Sequence, residues 1–128
     1  MQALPATRTA GILSLLAAMA HVLATPGHLQ VWWVYGALFA LAALLEAAVG
    51  MLVFALPPRR RLVPLYLAGA ALHLGTIAVW AVSRTVGVPF GPERGEVEPA
   101  GWLDGASKLL EAASAGLMLL AARYTVRG

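Results

Sequence analysis

Arg84–Glu111 reads RTVGVPFGPERGEVEPAGWLDGASKLLE, and it is the one stretch where turn residues, carboxylates and both signs of charge gather. Gly87, Pro89, Gly91, Pro92, Gly95, Pro99 and Gly101 forbid a continuous helix, so residues 84–101 form a loop between two apolar segments. Downstream, Asp104, Lys108 and Glu111 follow at spacings that place all three on one helical face. The loop therefore separates a third apolar span from a fourth whose first half carries charge. Outward from it, the chain is hydrophobic segment or short basic turn.

The 128 residues are 60% hydrophobic and 12% charged, about half the charged fraction of an ordinary soluble domain. A bilayer core about 30 Å thick takes about 20 apolar helical residues per crossing. The apolar length here serves four crossings and leaves no room for a separate soluble domain. With no cysteine, disulfides, thiolate metal sites and thiol catalysis are excluded.

In chain order, the expected spans are 9–25, 30–56, 62–83 and 102–122. Thr25, Pro26, Gly27 and His28 are read as the first turn, because Pro and Gly together stop a helix. Trp32, Trp33 and Tyr35 open span two as an interfacial aromatic belt. Pro57, Pro58 and Arg59–Arg61 end it, and Pro64 sits in the first turn of span three, where proline is tolerated. Residues 1–24 also read as a signal peptide, with Arg8, an apolar stretch, and Val22 and Ala24 as small cleavage-site residues. Four spans make the balanced bundle, and that favours retention. The fold class expected is all-α: a single up-down-up-down transmembrane four-helix domain over residues 1–128.

Arg8, Arg59, Arg60, Arg61, Arg123 and Arg127 fall on one side of that arrangement. Glu93, Glu96, Glu98 and Asp104 fall on the other. The positive-inside rule then puts both termini in the cytoplasm and the 84–101 loop outside, in a bacterial inner membrane. The basic residues are absorbed by orientation, so the partners expected are the lipid bilayer, with a protein partner or a second copy of the chain, and no nucleic acid.

An ionisable group inside a span faces the bundle and finds a partner there. At a rise of about 1.5 Å per residue, His73 and Glu111 lie about 15 and 13 Å below the outer ends of their spans, which predicts a direct His73–Glu111 contact. His21 lies about 6 Å inside span one on the same measure, near the level of Asp104. This predicts an outer mouth of His21, His28, Glu96, Glu98, Asp104 and Glu111, a ligand set that suits zinc, iron or manganese. Glu46, about 24 Å from the start of span two, falls toward the cytoplasmic half and stands either as a neutral hydrogen-bonded acid or as the lower end of a proton relay from Glu111 and His73. A single bis-histidine haem is disfavoured, since His21 and His73 then differ in depth by about 9 Å. Arg84, beside three loop glutamates, is expected to clamp the loop to span three or four.

The arrangement H-x4-P-x-H (His21, Pro26, His28), R-x2-G-x-P-x-G-P from Arg84, and G-E-x-E-P-x-G-x2-D-x6-E from Gly95 to Glu111 resembles that of a group of small four-span bacterial membrane proteins of unassigned activity. The resemblance implies a four-helix membrane bundle and brings no activity, cofactor or partner with it. Where similar chains carry an amide in the middle of span two, this one has Glu46. No C-x-x-C-H, phosphate-loop, dinucleotide or nucleophile-elbow motif occurs, so no catalytic residue is assigned. Three functions stay open: a binding module with a polar outer mouth holding a metal ion or small ligand, a structural subunit whose buried polar pairs set helix packing, and a dimeric proton-coupled carrier using Glu46, His73 and Glu111.

Overall fold

A computed structural model describes residues 3–127; residues 1–2 and Gly128 of the expected domain lie outside them. Four helices account for most of the chain: α1 (Ala3–Val31), α2 (Trp33–Ala55), α3 (Val63–Thr85) and α4 (Trp102–Arg127), with a single 3₁₀ turn at Arg60–Leu62. There is no strand among the described residues. All four helices are long and apolar enough to cross a membrane. Their outward faces are apolar too: Leu23, Leu44, Val79 and Leu109 stand exposed, the distribution expected when lipid rather than water is the solvent.

The expected turn at residues 25–28 is corrected. α1 runs through Pro26 and ends only at Val31. The turn to α2 is a single extended residue, Trp32 (φ −163°, ψ 133°). Proline removes one backbone N–H, and side chains on either side of it add bonds to neighbouring carbonyls: the Thr25 hydroxyl donates to His21 O at 2.8 Å, and His28 Nδ1 donates to Ala24 O at 2.9 Å. Membrane helices tolerate proline in this way. The correction matters because it lowers His21 to ten residues before the end of α1, about 15 Å on the helical rise.

α1 packs against both α2 and α4, and α3 packs against α4, whereas α2 and α3 scarcely touch. The bundle is thus a ring opened along one seam. Glycine lets the backbones of α1 and α2 meet: a Cβ on Gly11 would lie 2.7 Å from Gly50 O, and one on Gly50 would lie 2.9 Å from Gly11 O. Small-on-small contact of this kind is how membrane helices gain dispersion energy where no hydrophobic effect drives them together. Toward the chain termini the interior closes on Tyr66, Met118, Val53 and a set of alanines.

α4 starts with a one-sided cap: the Asp104 carboxylate in its first turn accepts the Gly101 N–H at 3.1 Å. The loop 86–101 folds back over the seam. Gly87, Gly91 and Gly95 take φ near +80°, a backbone that side chains resist, and Tyr35 Oη donates to Phe90 O at 2.7 Å.

Candidate functional site

His21 on α1, Glu46 on α2, His73 on α3 and Glu111 on α4 all turn inward, one from each helix, and all four are buried. His21 Nδ1 lies 2.8 Å from Glu46 Oε2, and its Nε2 lies 3.6 Å from Glu111 Oε1. His73 Nδ1 lies 3.3 Å from Glu46 Oε1. One ligand atom each from His21, Glu46 and Glu111 fits within 4.8 Å of the others. Glu111 is also held by Lys108, whose Nζ donates to Oε1 at 2.6 Å and Oε2 at 2.8 Å.

Proton counting around His73 fixes what the centre lacks. Ser14 Oγ donates to Glu46 O at 2.8 Å, which uses its one proton, so His73 Nε2, 3.1 Å away, donates to Ser14 Oγ. A neutral His73 then presents the Nδ1 lone pair to Glu46 Oε1. Those two atoms are also buried without a hydrogen-bond partner. Two facing acceptors in a low-dielectric interior repel unless a cation lies between them. A proton meets the need, and so does a metal ion: cis ligands on a tetrahedral ion bound at about 2.1 Å stand about 3.4 Å apart. The 3.6 Å between His21 Nε2 and Glu111 Oε1 is close to that edge, as is, in a separate pair, the 3.3 Å between His73 Nδ1 and Glu46 Oε1.

Two carboxylates, two imidazoles and one ammonium meet in this centre. Glu111 has lone pairs for both Lys108 and an ion, since a carboxylate accepts at about four positions. The Thr76 hydroxyl has Glu111 Oε2 at 3.0 Å and His73 O at 2.8 Å in reach.

The expected outer mouth is not formed. His21 sits at mid-bundle with Glu46, which itself belongs to this centre and not to a separate cytoplasmic level. His28 stacks on Phe39 at 3.7 Å between ring centroids. Glu96 is exposed, with no side-chain bond among the described residues. Glu98 and Asp104 are occupied by Arg84, at 2.8 and 2.6 Å. Nor do His73 and Glu111 bond directly; Thr76 stands between them. Asp104 turns to Arg84 while Lys108 and Glu111 turn inward, so the common face divides after its first turn. The depth difference set against a bis-histidine haem also disappears, and the Glu46 carboxylate lying between the two imidazoles now blocks that ligation.

Ser14 and Thr76 carry the network and were not singled out by sequence reasoning. Their spacing holds the signal: Ser14 precedes His21 by two helical turns, and Thr76 follows His73 by three residues, each on the face of its histidine.

Beside the centre a cavity of about 780 Å³ fills the seam between α2 and α3. His21, Thr76 and Lys108 line it, as do Leu38, Phe39 and Val79, and the loop roofs it with Val88, Pro89 and Phe90. Comparison with protein-family models, with curated proteins and with solved structures finds no match to this chain.

Proposed function

We propose that the protein is an intramembrane binding module whose mid-bundle centre holds a divalent transition-metal ion, ligated by His21, Glu46 and Glu111 with His73 on the second oxygen of Glu46. The observation that supports this reading is the convergence of His21, Glu46 and Glu111, buried and drawn from three helices, each offering a ligand atom within 4.8 Å of the others. Imidazole with carboxylate suits zinc, iron or manganese and gives no soft ligand for copper(I). The adjoining cavity supplies an access path. In the bacterial inner membrane, with both termini cytoplasmic, the 84–101 loop is the outer roof of this cavity, as the distribution of arginines favours.

Cobalt(II) tests the reading, because its visible absorption reports ligand number and type. Titration of the detergent-purified protein is expected to give a four-coordinate N/O spectrum saturating at about one ion per chain. His21→Ala and Glu46→Gln are expected to abolish it, and His28→Ala to leave it intact.

A second reading rests on the facing pair His73 Nδ1 and Glu46 Oε1, 3.3 Å apart, buried and otherwise unpartnered. A proton between His73 and Glu46 satisfies them, and the chain Lys108, Glu111, His21, Glu46, His73 is then a proton relay of the kind carriers use. A folded protein that takes up no cobalt selects this alternative.

A further inference from the structure

The end of the bundle that carries both chain termini is basic and has no acid to answer it. Arg8, Arg59, Arg60, Arg61, Arg123 and Arg127 are all exposed there, and none forms an ion pair among the described residues. Of the six carboxylates in the sequence, the one nearest this end along its helix is Glu46, about 13 Å before the last residue of α2 on the helical rise, and it is fully buried. Orientation in a membrane requires only that arginines share a side. Their placement here is more particular than that.

α3 and α4 run antiparallel, with Gly69 against Met118 and the Thr76 hydroxyl bonded to Glu111. Carried to the helix ends, the same register sets Leu67 level with Leu120, Pro64 with Arg123 and Arg60 with Arg127, and the Arg60–Leu62 turn does contact α4. Along α4, Leu120, Arg123, Tyr124 and Arg127 stand at i, i+3, i+4 and i+7, one face of the helix, and all four are exposed. That face passes from apolar to basic at the level of Arg60 and Arg61. Leu67 is exposed as well, at the level of Leu120. Guanidinium groups thus stand where a lipid headgroup would lie, and aliphatic side chains where its tail would begin.

We propose that this end of α3 and α4 binds an anionic phospholipid, its phosphate taken by Arg123 and Arg127 together with Arg60 and Arg61 of the turn, and an acyl chain laid along Leu120 and Leu67. Charge complementarity selects the occupant. Guanidinium forks match phosphate oxygens, a zwitterionic head would bring its own ammonium against the arginines, and a free phosphate would leave the leucines unused. The surface shares no residue with the His/Glu centre.

The test is native mass spectrometry of the full chain released from detergent, titrated separately with dioleoylphosphatidylglycerol, dioleoylphosphatidylcholine and inorganic phosphate. Phosphatidylglycerol is expected to bind at about one per chain and about tenfold more tightly than phosphatidylcholine. Arg123→Gln with Arg127→Gln is expected to weaken it about thirtyfold, and Arg60→Gln with Arg61→Gln by a similar factor. Arg94→Gln, at an exposed position in the loop at the opposite end, is expected to leave it unchanged. The two double variants lie on different elements, so misfolding of one leaves the other to decide. Equal binding of the two lipids overturns the anionic assignment, and inorganic phosphate displacing phosphatidylglycerol at equal concentration overturns the lipid one. Wild-type affinity in either folded double variant, or an equal loss in Arg94→Gln, overturns the location.

Discussion

Glu46 shows how much rests on single side chains in this bundle, since its two oxygens meet two histidines from two other helices. A direct contact of 2.8 Å pairs it with His21, so a thermal-unfolding cycle of His21→Leu, Glu46→Leu and the double variant is expected to show coupling of about 0.6–1.7 kcal/mol, the span found for interhelical polar contacts in membranes. The same cycle on His73 and Glu111, whose side chains are joined only by way of Glu46 and His21, is expected to show less. Equal coupling in the two cycles would place His73 and Glu111 in direct contact after all. At the loop end of the bundle, Arg84 spans Glu98 and Asp104 with separate guanidinium nitrogens. Arg84→Ala is expected to speed proteolysis of the 86–101 loop, and Arg84→Lys to restore protection only in part, because a point ammonium cannot reproduce the fork. Cleavage at the wild-type rate in both variants would mean that Tyr35 and the loop's own turns hold it unaided.

Helices are where the sequence was most legible. Apolar length and the Gly/Pro punctuation after Arg84 gave four spans, and the basic turn at Arg59–Arg61 divided the second from the third. What misled was Pro26 followed by Gly27. In water that pair ends a helix, but in a bundle the Thr25 and His28 side chains engage the local carbonyls and α1 continues. One wrong boundary displaced His21 by about 1.7 helical turns, and with it the expected site moved from the middle of the membrane to its surface. The identities of the ionisable residues were legible; their common depth was not, because depth is counted from helix ends. The glycines make a prediction at this scale. Gly11→Ala drives a methyl group into the backbone of α2 and is expected to cost about 1–3 kcal/mol in unfolding assays. Gly116→Ala, on α4 with open space at its Cβ, is expected to stabilise by about 0.5–1 kcal/mol. Similar effects from the two would mean that α1 and α2 do not approach as closely as the geometry requires.

For the whole molecule, four helices form a ring with one loose seam: the closed sides bring two histidines and two glutamates to one buried point, and the open side leaves a lipid-accessible cavity next to it. The proposed orientation predicts that a periplasm-dependent reporter is silent at the C-terminus and active when inserted near Arg94; the reverse pattern would turn the roofed end of the cavity to the cytoplasm. The centre itself is tested most directly by elemental analysis of the protein purified without chelators, alongside Glu46→Gln and His21→Ala prepared identically. Zinc, iron or manganese at about one atom per chain in the wild type and near zero in both variants is the result the proposed centre predicts. A folded wild-type protein carrying no metal, or the same content in all three, would contradict it.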